Sequence, residues 1–337
     1  MERETLSLIA EGLERILADA PLEAIDQAAG QGADARALWS TLAENGFVLL
    51  CAAEEHGGFG GSIADALVLG EMMARHAAAL PLGDTMLAAG LLSAAGCEAP
   101  ELRIGLVDPF DSAAAVAHAA QVDAVLILQD GFLRCARLSP DDFAPLAKAE
   151  DGAGRLVRAP QETLAEIAAP DWLSADAFRA IAALMRAANM AGAMQAVLEL
   201  TLTYTQEREQ FGRPLAKFQA IQHHLSDIAC ETAASIAAVE LASDALRIDP
   251  HCGPGVLGEI AIAKTRCGQA ASKVAAAAHQ AHGAMGFTRE YALGRFTRRL
   301  WQWQDEFGSQ TEWASRLGRS VLSDPEPRLW PRISQPI

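Results

Sequence analysis

After residue 176 the chain runs in long helix-favouring stretches, broken at Gly212-Arg213-Pro214, from Pro250 to Pro254, and at Gly283-Ala284-Met285-Gly286. Proline lacks an N–H and clashes with the preceding turn, and glycine supplies the backbone angles of a helix stop, so each break separates two helices. The spacing predicts helices over 177–208, 216–246, 255–282, 290–303 and 310–322. Four or five helices joined by short connections bury their apolar stripes against one another as an antiparallel bundle. Alanine and leucine dominate and aromatics are only 6% of the chain, so the expected fold class is mainly α.

The first hundred residues also read as helical. Leu6, Ile9, Leu13 and Ile16 recur at helical spacing, and a helix over 35–44 ends at Asn45-Gly46. Residues 49–62 form a loop in which Gly57, Gly58, Gly60 and Gly61 flank Phe59, and helices resume over 63–79 and 84–95. From Arg103 the pattern changes to short apolar or β-branched runs, RIGLV, VDAVLIL and FLRCARL, separated by Asp, Pro and Gly. These are strands, four to six in number, in a region ending near Pro170. The expected organisation is a helical N-terminal domain (1–100), a reduced β domain (101–172) and a C-terminal helical bundle domain (173–337).

Lys and Arg total 27 against 43 Asp and Glu, a formal charge of −16 that argues against nucleic acid or an anionic membrane as partner. Basic residues gather locally at Arg289, Arg295, Arg298 and Arg299, either as a phosphate-meeting patch or as a solvated helix face. The six cysteines, Cys51, Cys97, Cys135, Cys230, Cys252 and Cys267, show neither Cys-x-x-Cys pairing nor histidines at ligand spacing, so neither a zinc site nor a disulfide framework is expected. The first twenty residues are acidic and carry no continuous apolar run, so they read as neither signal peptide nor membrane span, and the expected location is the cytoplasm.

Two long segments carry a resemblance. Thr205 to Ile228, TQEREQFGRPLAKFQAIQHHLSDI, resembles the Arg-x-x-Phe-Gly signature of acyl-CoA dehydrogenases, and His279 to Arg299, HQAHGAMGFTREYALGRFTRR, resembles the second signature of that family. The Glu-Glu-His-Gly-Gly-x-Gly-Gly loop at Glu54 to Gly61 agrees, and the likeness spans nearly the whole chain, thinning between Glu98 and Asp176. The resemblance implies an acyl-CoA dehydrogenase-like fold with a helical N-terminal domain, a β domain and a C-terminal four-helix bundle around FAD. In such enzymes a glutamate removes a proton beside the thioester while hydride leaves the next carbon for the flavin, which an electron-transfer flavoprotein reoxidises.

Matched position by position, Arg208 corresponds to the arginine that pairs with the FAD pyrophosphate, a role suited to a planar guanidinium. Phe211 supplies an aromatic surface, Gln219 a polar FAD contact, and Gln280 and Gly283 the start of a Gln-x-x-Gly-Gly element, in which Ala284 replaces the second glycine. Taken singly, such an arginine ends a helix at the surface and such a glycine caps one. Met190, Met194 and Met285 read as core filler, and His56, His223 and His224 as packing or surface residues without a Ser, Cys or paired carboxylate at nucleophile-base spacing.

Other family elements are missing. The flavin-cradling Thr-Glu-Pro-x-x-Gly-Ser-Asp and Trp-Ile-Thr elements have no counterpart beyond Leu106-Val107-Asp108-Pro109. The base of one branch falls on Phe307, with Glu306 one residue earlier as a weak candidate; that of the other branch falls on Ala182, and the substrate arginine on Ala183. The resemblance therefore implies the shorter, base-lacking subunit of a heterotetrameric acyl-CoA dehydrogenase, of the type found in bacterial steroid side-chain breakdown. Its partners would be a longer homologous subunit, an acyl-CoA substrate and electron-transfer flavoprotein. Two alternatives stay open: a catalytic homo-oligomer using Glu306, and a flavin-free scaffold pseudoenzyme.

Overall fold

Helices end where the breakers stand, and the departures from expectation have local causes. The computed structural model describes residues 1–28, 32–111, 114–146, 153–288 and 290–323. It divides into two compact units, Met1–Met185 with Pro250–Cys252, and Arg186–Asp249 with the chain from Gly253 onward.

In the first unit, α1 (Arg3–Asp19) buries Leu13 and Leu17 and packs on α4, where α4 is Ile63–Arg75. Between them lie a short α2 (Leu22–Gln27), which the periodicity did not signal because six residues show no stripe, and α3 (Gly32–Glu44), closed by Gly46 at φ 77° as expected. Helix α4 opens with a capping box: the Ser62 hydroxyl accepts from the Asp65 N–H at 3.2 Å, and the Asp65 carboxylate accepts from the Ser62 N–H at 2.9 Å. It stops at Arg75, short of the expected 79. Ala77 adopts φ 50° and the Ala78 N–H returns to the Met73 carbonyl at 2.9 Å, a left-handed stop built on alanine and thus without the usual glycine signal. Before α4, the glycine-rich loop folds tightly on residues 49–53; Gly60 and Gly61 donate to the carbonyls of Ala52 and Leu50, both at 2.8 Å. Helix α5 (Leu82–Ala94) is apolar almost all round and buried.

Among the described residues seven short strands follow, more than the four to six expected: β1 (Ile104–Leu106), β2 (Ala115–Val116), β3 (Ala124–Gln129), β4 (Phe132–Arg137), β5 (Phe143–Pro145), β6 (Gly154–Leu156) and β7 (Thr163–Ala168). Strands of two or three residues carry no readable alternation, so β2, β5 and β6 escaped notice. One sheet has the order β1-β3-β4-β7, with β1 parallel to β3 and the rest antiparallel; the other is antiparallel β2-β6-β5. Val107, Val116, Val122, Val125 and Leu138 form a small core. At the end of β1, Asp108 and Arg179 make a buried ion pair at 2.9 Å, and burial raises the Asp108 carboxyl above its usual range despite the guanidinium.

Helix α6 (Ala175–Glu207) begins in the first unit and continues into the second. It is long and apolar enough to cross a membrane by composition, yet 83% of its apolar window is buried inside the protein, as a core helix is. A two-strand hairpin, β8 (Glu209–Gln210) and β9 (Arg213–Pro214), leads to α7 (Gln219–Ile248), α8 (Pro254–His282), α9 (Leu293–Trp303) and α10 (Gln310–Leu322). Helix α7 starts three residues later than expected because 215–217 forms a 3₁₀ turn, and α9 starts at Leu293, not 290. The arginine patch is not a solvated face: Arg299 is buried and Arg295 and Arg298 are half-buried, because α9 packs on α8; Arg289 lies outside the described residues.

The β3–β4 turn offers a clean test of local chemistry. Gln129 pairs with Phe132, and Asp130 and Gly131 take φ 50° and 79°, as a two-residue type I′ turn requires. A side chain at Gly131 would meet nothing within 4 Å, so its cost is purely that of the left-handed backbone. Gly131→Ala should lower unfolding free energy in urea by about 1 kcal/mol and Gly131→Asn by less. Equal losses would contradict this origin.

Candidate functional site

Five sequence-chosen residues come together at one end of the second unit. Glu231 of α7 pairs with both Arg266 and Lys273 of α8, and the Cys267 thiol points to the Ser235 carbonyl at 3.8 Å. That antiparallel register brings the start of α7, Gln219, level with the end of α8, whose last turn carries Gln280. The end of α6 arrives there too, because the Tyr204 ring stacks on His282 at 4.4 Å. One turn beyond Tyr204, Arg208 leads into the hairpin, whose tip is Phe211 (φ 52°) and Gly212 (φ 78°).

Arg208, Gln219 and Gln280 are exposed, and among the described residues none of their side chains has a hydrogen-bond or ion-pair partner. Phe211 is 92% exposed, with an edge contact to the Phe218 ring at 6.2 Å between ring centres. Gly283 has φ 59° and ψ −139°, backbone angles open essentially to glycine alone, and open space where a side chain would be. A free guanidinium, two free amides, a bare aromatic ring and an accessible backbone are the groups that a ligand with phosphate oxygens and flat rings requires. The residues thus fit the adenosine and pyrophosphate half of FAD.

The place where a base was sought is closed by charge pairing. Phe307 is buried at φ 54°, its carbonyl accepting from Trp313 Nε1 at 2.9 Å, while the Arg186 guanidinium lies 5.1 Å over its ring. The neighbouring carboxylate of Glu306 is engaged on both oxygens, by Arg186 Nε on Oε2 and by Gln302 Nε2 on Oε1 at 2.6 Å. Beneath it Lys264 is wholly buried, donating to the Trp303 carbonyl at 2.5 Å. Burial pushes this ammonium down to about 7; Glu306 offsets part of that and Arg186 adds to it. Sequence reading passed over Arg186 and Lys264, whose helical surroundings are apolar and small and hold no pattern that marks a charge.

Elsewhere, Ala182 and Ala183 are fully buried, as are Met190 and Met194, whereas Met285 is 46% exposed and is not core filler. His223 is exposed and His224 half-buried. His56 does meet a serine, contrary to expectation: its Nδ1 lies 2.8 Å from the Ser93 hydroxyl, a residue of α5 too distant in sequence for a spacing rule to find. The same hydroxyl accepts from the Ala53 N–H at 2.9 Å, so the pair ties down the glycine-rich loop.

Lys264 yields a pH dependence of known sign. An unfolded lysine stays protonated to about pH 10.4, whereas in the folded protein it titrates near 7. The unfolded chain therefore binds more protons above neutrality, and stability should rise from pH 7 to 8.5. Urea unfolding across that window should show the rise in the parent and a flatter profile in Lys264→Met. A parent profile that is flat or falls would refute the depressed ammonium.

The chain is similar to known proteins over most of its length. The model of the acyl-CoA dehydrogenase N-terminal domain matches residues 3–101, and that of the C-terminal domain matches 174–301. The acyl-CoA dehydrogenase IpdE2 of Mycobacterium tuberculosis is 32% identical over 300 residues, covering 86% of this chain and 87% of that one. IpdE2 of Mycolicibacterium smegmatis is 29% identical over 85% and 88%. In fold, a chain of the ChsE4-ChsE5 complex from Mycobacterium tuberculosis superposes with TM-score 0.82 at 19% identity, over 97% of this chain and 99% of that one. A chain of the Tcur3481-Tcur3483 steroid ACAD gives 0.78 at 21% identity, over 95% and 98%. With its two signatures, its helical and sheet order and these relatives, this chain belongs to the acyl-CoA dehydrogenase family.

Proposed function

We propose that this chain is a subunit of an FAD-dependent acyl-CoA dehydrogenase that desaturates the α,β bond of an acyl-CoA thioester. In this reading it contributes contacts to the adenosine and pyrophosphate half of FAD, while a longer homologous subunit supplies the flavin cradle and the base. The observation that carries the reading is the convergence of Arg208, Phe211, Gln219, Gln280 and Gly283, all exposed, at one end of the bundle, with the side chains of Arg208, Gln219 and Gln280 lacking a hydrogen-bond or ion-pair partner among the described residues. Retention of Arg208, Gln219 and Gln280 together at family spacing argues against a flavin-free scaffold. The heteromeric composition of the ChsE4-ChsE5 and Tcur3481-Tcur3483 structures, which share the fold, supports a partner subunit.

When bound, FAD supplies the hydride acceptor. The chain's own residues bind and orient: Arg208 meets phosphate oxygens bidentately, Gln219 and Gln280 offer amides, Phe211 covers an apolar ring surface, and Gly283 admits close backbone approach. Glu306 is held between Arg186 and Gln302, which favours a structural over a proton-abstracting role. The division into a helical domain to residue 100, a reduced β domain to 172 and a bundle domain beyond, electron-transfer flavoprotein as the oxidant, and the cytoplasm as compartment belong to the same proposal.

Two outcomes test it. Purified alone, the chain should retain little FAD after gel filtration, and co-expressed with a longer homologous subunit it should retain one FAD per pair; stoichiometric flavin on the isolated chain would sink the heteromer. In that complex, Glu306→Gln should slow single-turnover flavin reduction by an acyl-CoA far less than the roughly hundredfold or greater loss caused by removing a positioned general base. A loss of that size with flavin content intact would establish the alternative, a chain catalytic through Glu306.

A further inference from the structure

The chain contains only two tyrosines, and both meet at one histidine. Tyr204, in the last turn of α6, stacks on His282 with 23° between ring planes, and its hydroxyl donates to the His282 carbonyl at 3.3 Å. His282 Nδ1 lies 2.8 Å from the Ala278 carbonyl, an acceptor only, so Nδ1 carries the proton and Nε2 the lone pair. That lone pair accepts from the Tyr291 hydroxyl at 3.2 Å. A ring bonded on both edges and stacked on one face cannot turn. The adjoining turn is equally constrained: Gly283 sits in its glycine-only conformation, and a side chain at Gly286 would stand 3.0 Å from the His282 Cβ.

The two ends joined by this cluster are the two that carry the exposed polar groups. Arg208 lies one turn beyond Tyr204, its N–H bonded to the Tyr204 carbonyl at 2.9 Å. The carbonyl that receives the Tyr204 hydroxyl belongs to the peptide entering Gly283, two residues beyond Gln280. The hydroxyl–carbonyl bond of Tyr204, its stack on His282 and its edge contact with Tyr291 at 5.7 Å therefore tie the Arg208 end of α6 to the Gln280–Gly283 turn. We infer that Tyr204, His282 and Tyr291 are positioning residues that fix Arg208 and the Gly283 turn at the spacing demanded by the adenosine and pyrophosphate half of a dinucleotide, an inference that rests on the proposed function. None of the three touches the ligand itself in this role; they hold the groups that do.

Tyr204→Phe keeps the stack and removes only the bond to the His282 carbonyl, and Tyr291→Phe frees one edge of the imidazole; either variant suffices should the other fold poorly. The experiment uses the flavin-depleted complex with the longer homologous subunit, titrated with FAD, with ADP as a probe of the adenosine half, and with FMN, which lacks it. Each variant should weaken FAD and ADP by about 3- to 10-fold, the worth of one net hydrogen bond, and leave FMN unchanged. Arg208→Ala should weaken FAD and ADP more. The double variant Tyr204→Phe/Arg208→Ala should lose less than the two single losses combined, because part of the tyrosine's effect runs through the arginine's placement. A merely structural cluster would shift unfolding temperature and leave ADP affinity and the coupling untouched. Unchanged ADP affinity in both tyrosine variants, with Arg208→Ala still weakening it, overturns the positioning role and leaves the proposed function standing. Unchanged FAD and ADP affinity in Arg208→Ala overturns both.

Discussion

How closely other helices can approach α8 decides where everything in the second unit goes. Its buried face is largely alanine, at 261, 263, 270, 271, 275 and 278, and α7, α9 and α10 all pack on it. Small side chains let backbones come near and lose little rotamer freedom, but each buries little area, so large neighbours must fill the space: Leu293, Leu300, Trp303 and Trp313 do so. At Gly268 there is no room even for a methyl group, since it would stand 2.9 Å from the Gln310 Cβ. The same closeness traps Lys264 in the interior. Its ammonium finds the carbonyl of Trp303, the last residue of α9, a group that the helix itself leaves without a partner. A helix end and a misplaced charge thereby satisfy each other.

Much of this was legible in the residues. The long helices are bounded by Gly and Pro, whose backbone effects are local, so α6 to α10 fell within three residues of expectation. The runs that became β1, β3 and β4 showed themselves by composition. What escaped depends on distance or on rare chemistry. A stop at Ala77 uses an alanine in a left-handed conformation, and strands of two residues have no period. His56 and Ser93 are 37 residues apart, and only the fold of the first unit makes them neighbours.

The candidate site was legible unevenly for the same reason. Arg208, Phe211, Gln219, Gln280 and Gly283 lie in two contiguous segments with recognisable spacing, so motif reading reached them. The cluster around Glu306 draws Arg186 from 120 residues away, out of a helix whose neighbours are alanine and methionine. No periodicity marks a buried cation, because burying one is unfavourable until its partners are assembled. The one-residue offset between Glu306 and Phe307 was visible, but its meaning lay in backbone geometry: Phe307 is left-handed, and its carbonyl is committed to Trp313.

The hairpin tip has a consequence for how the chain meets a ligand. Phe211 stands 92% exposed on a two-residue turn whose backbone angles are already those of its final shape. Among the described residues of the second unit none covers the ring, which stands in solvent on that turn. A ring held out by a turn already in its settled geometry gives up little further backbone freedom when a flat ligand settles on it.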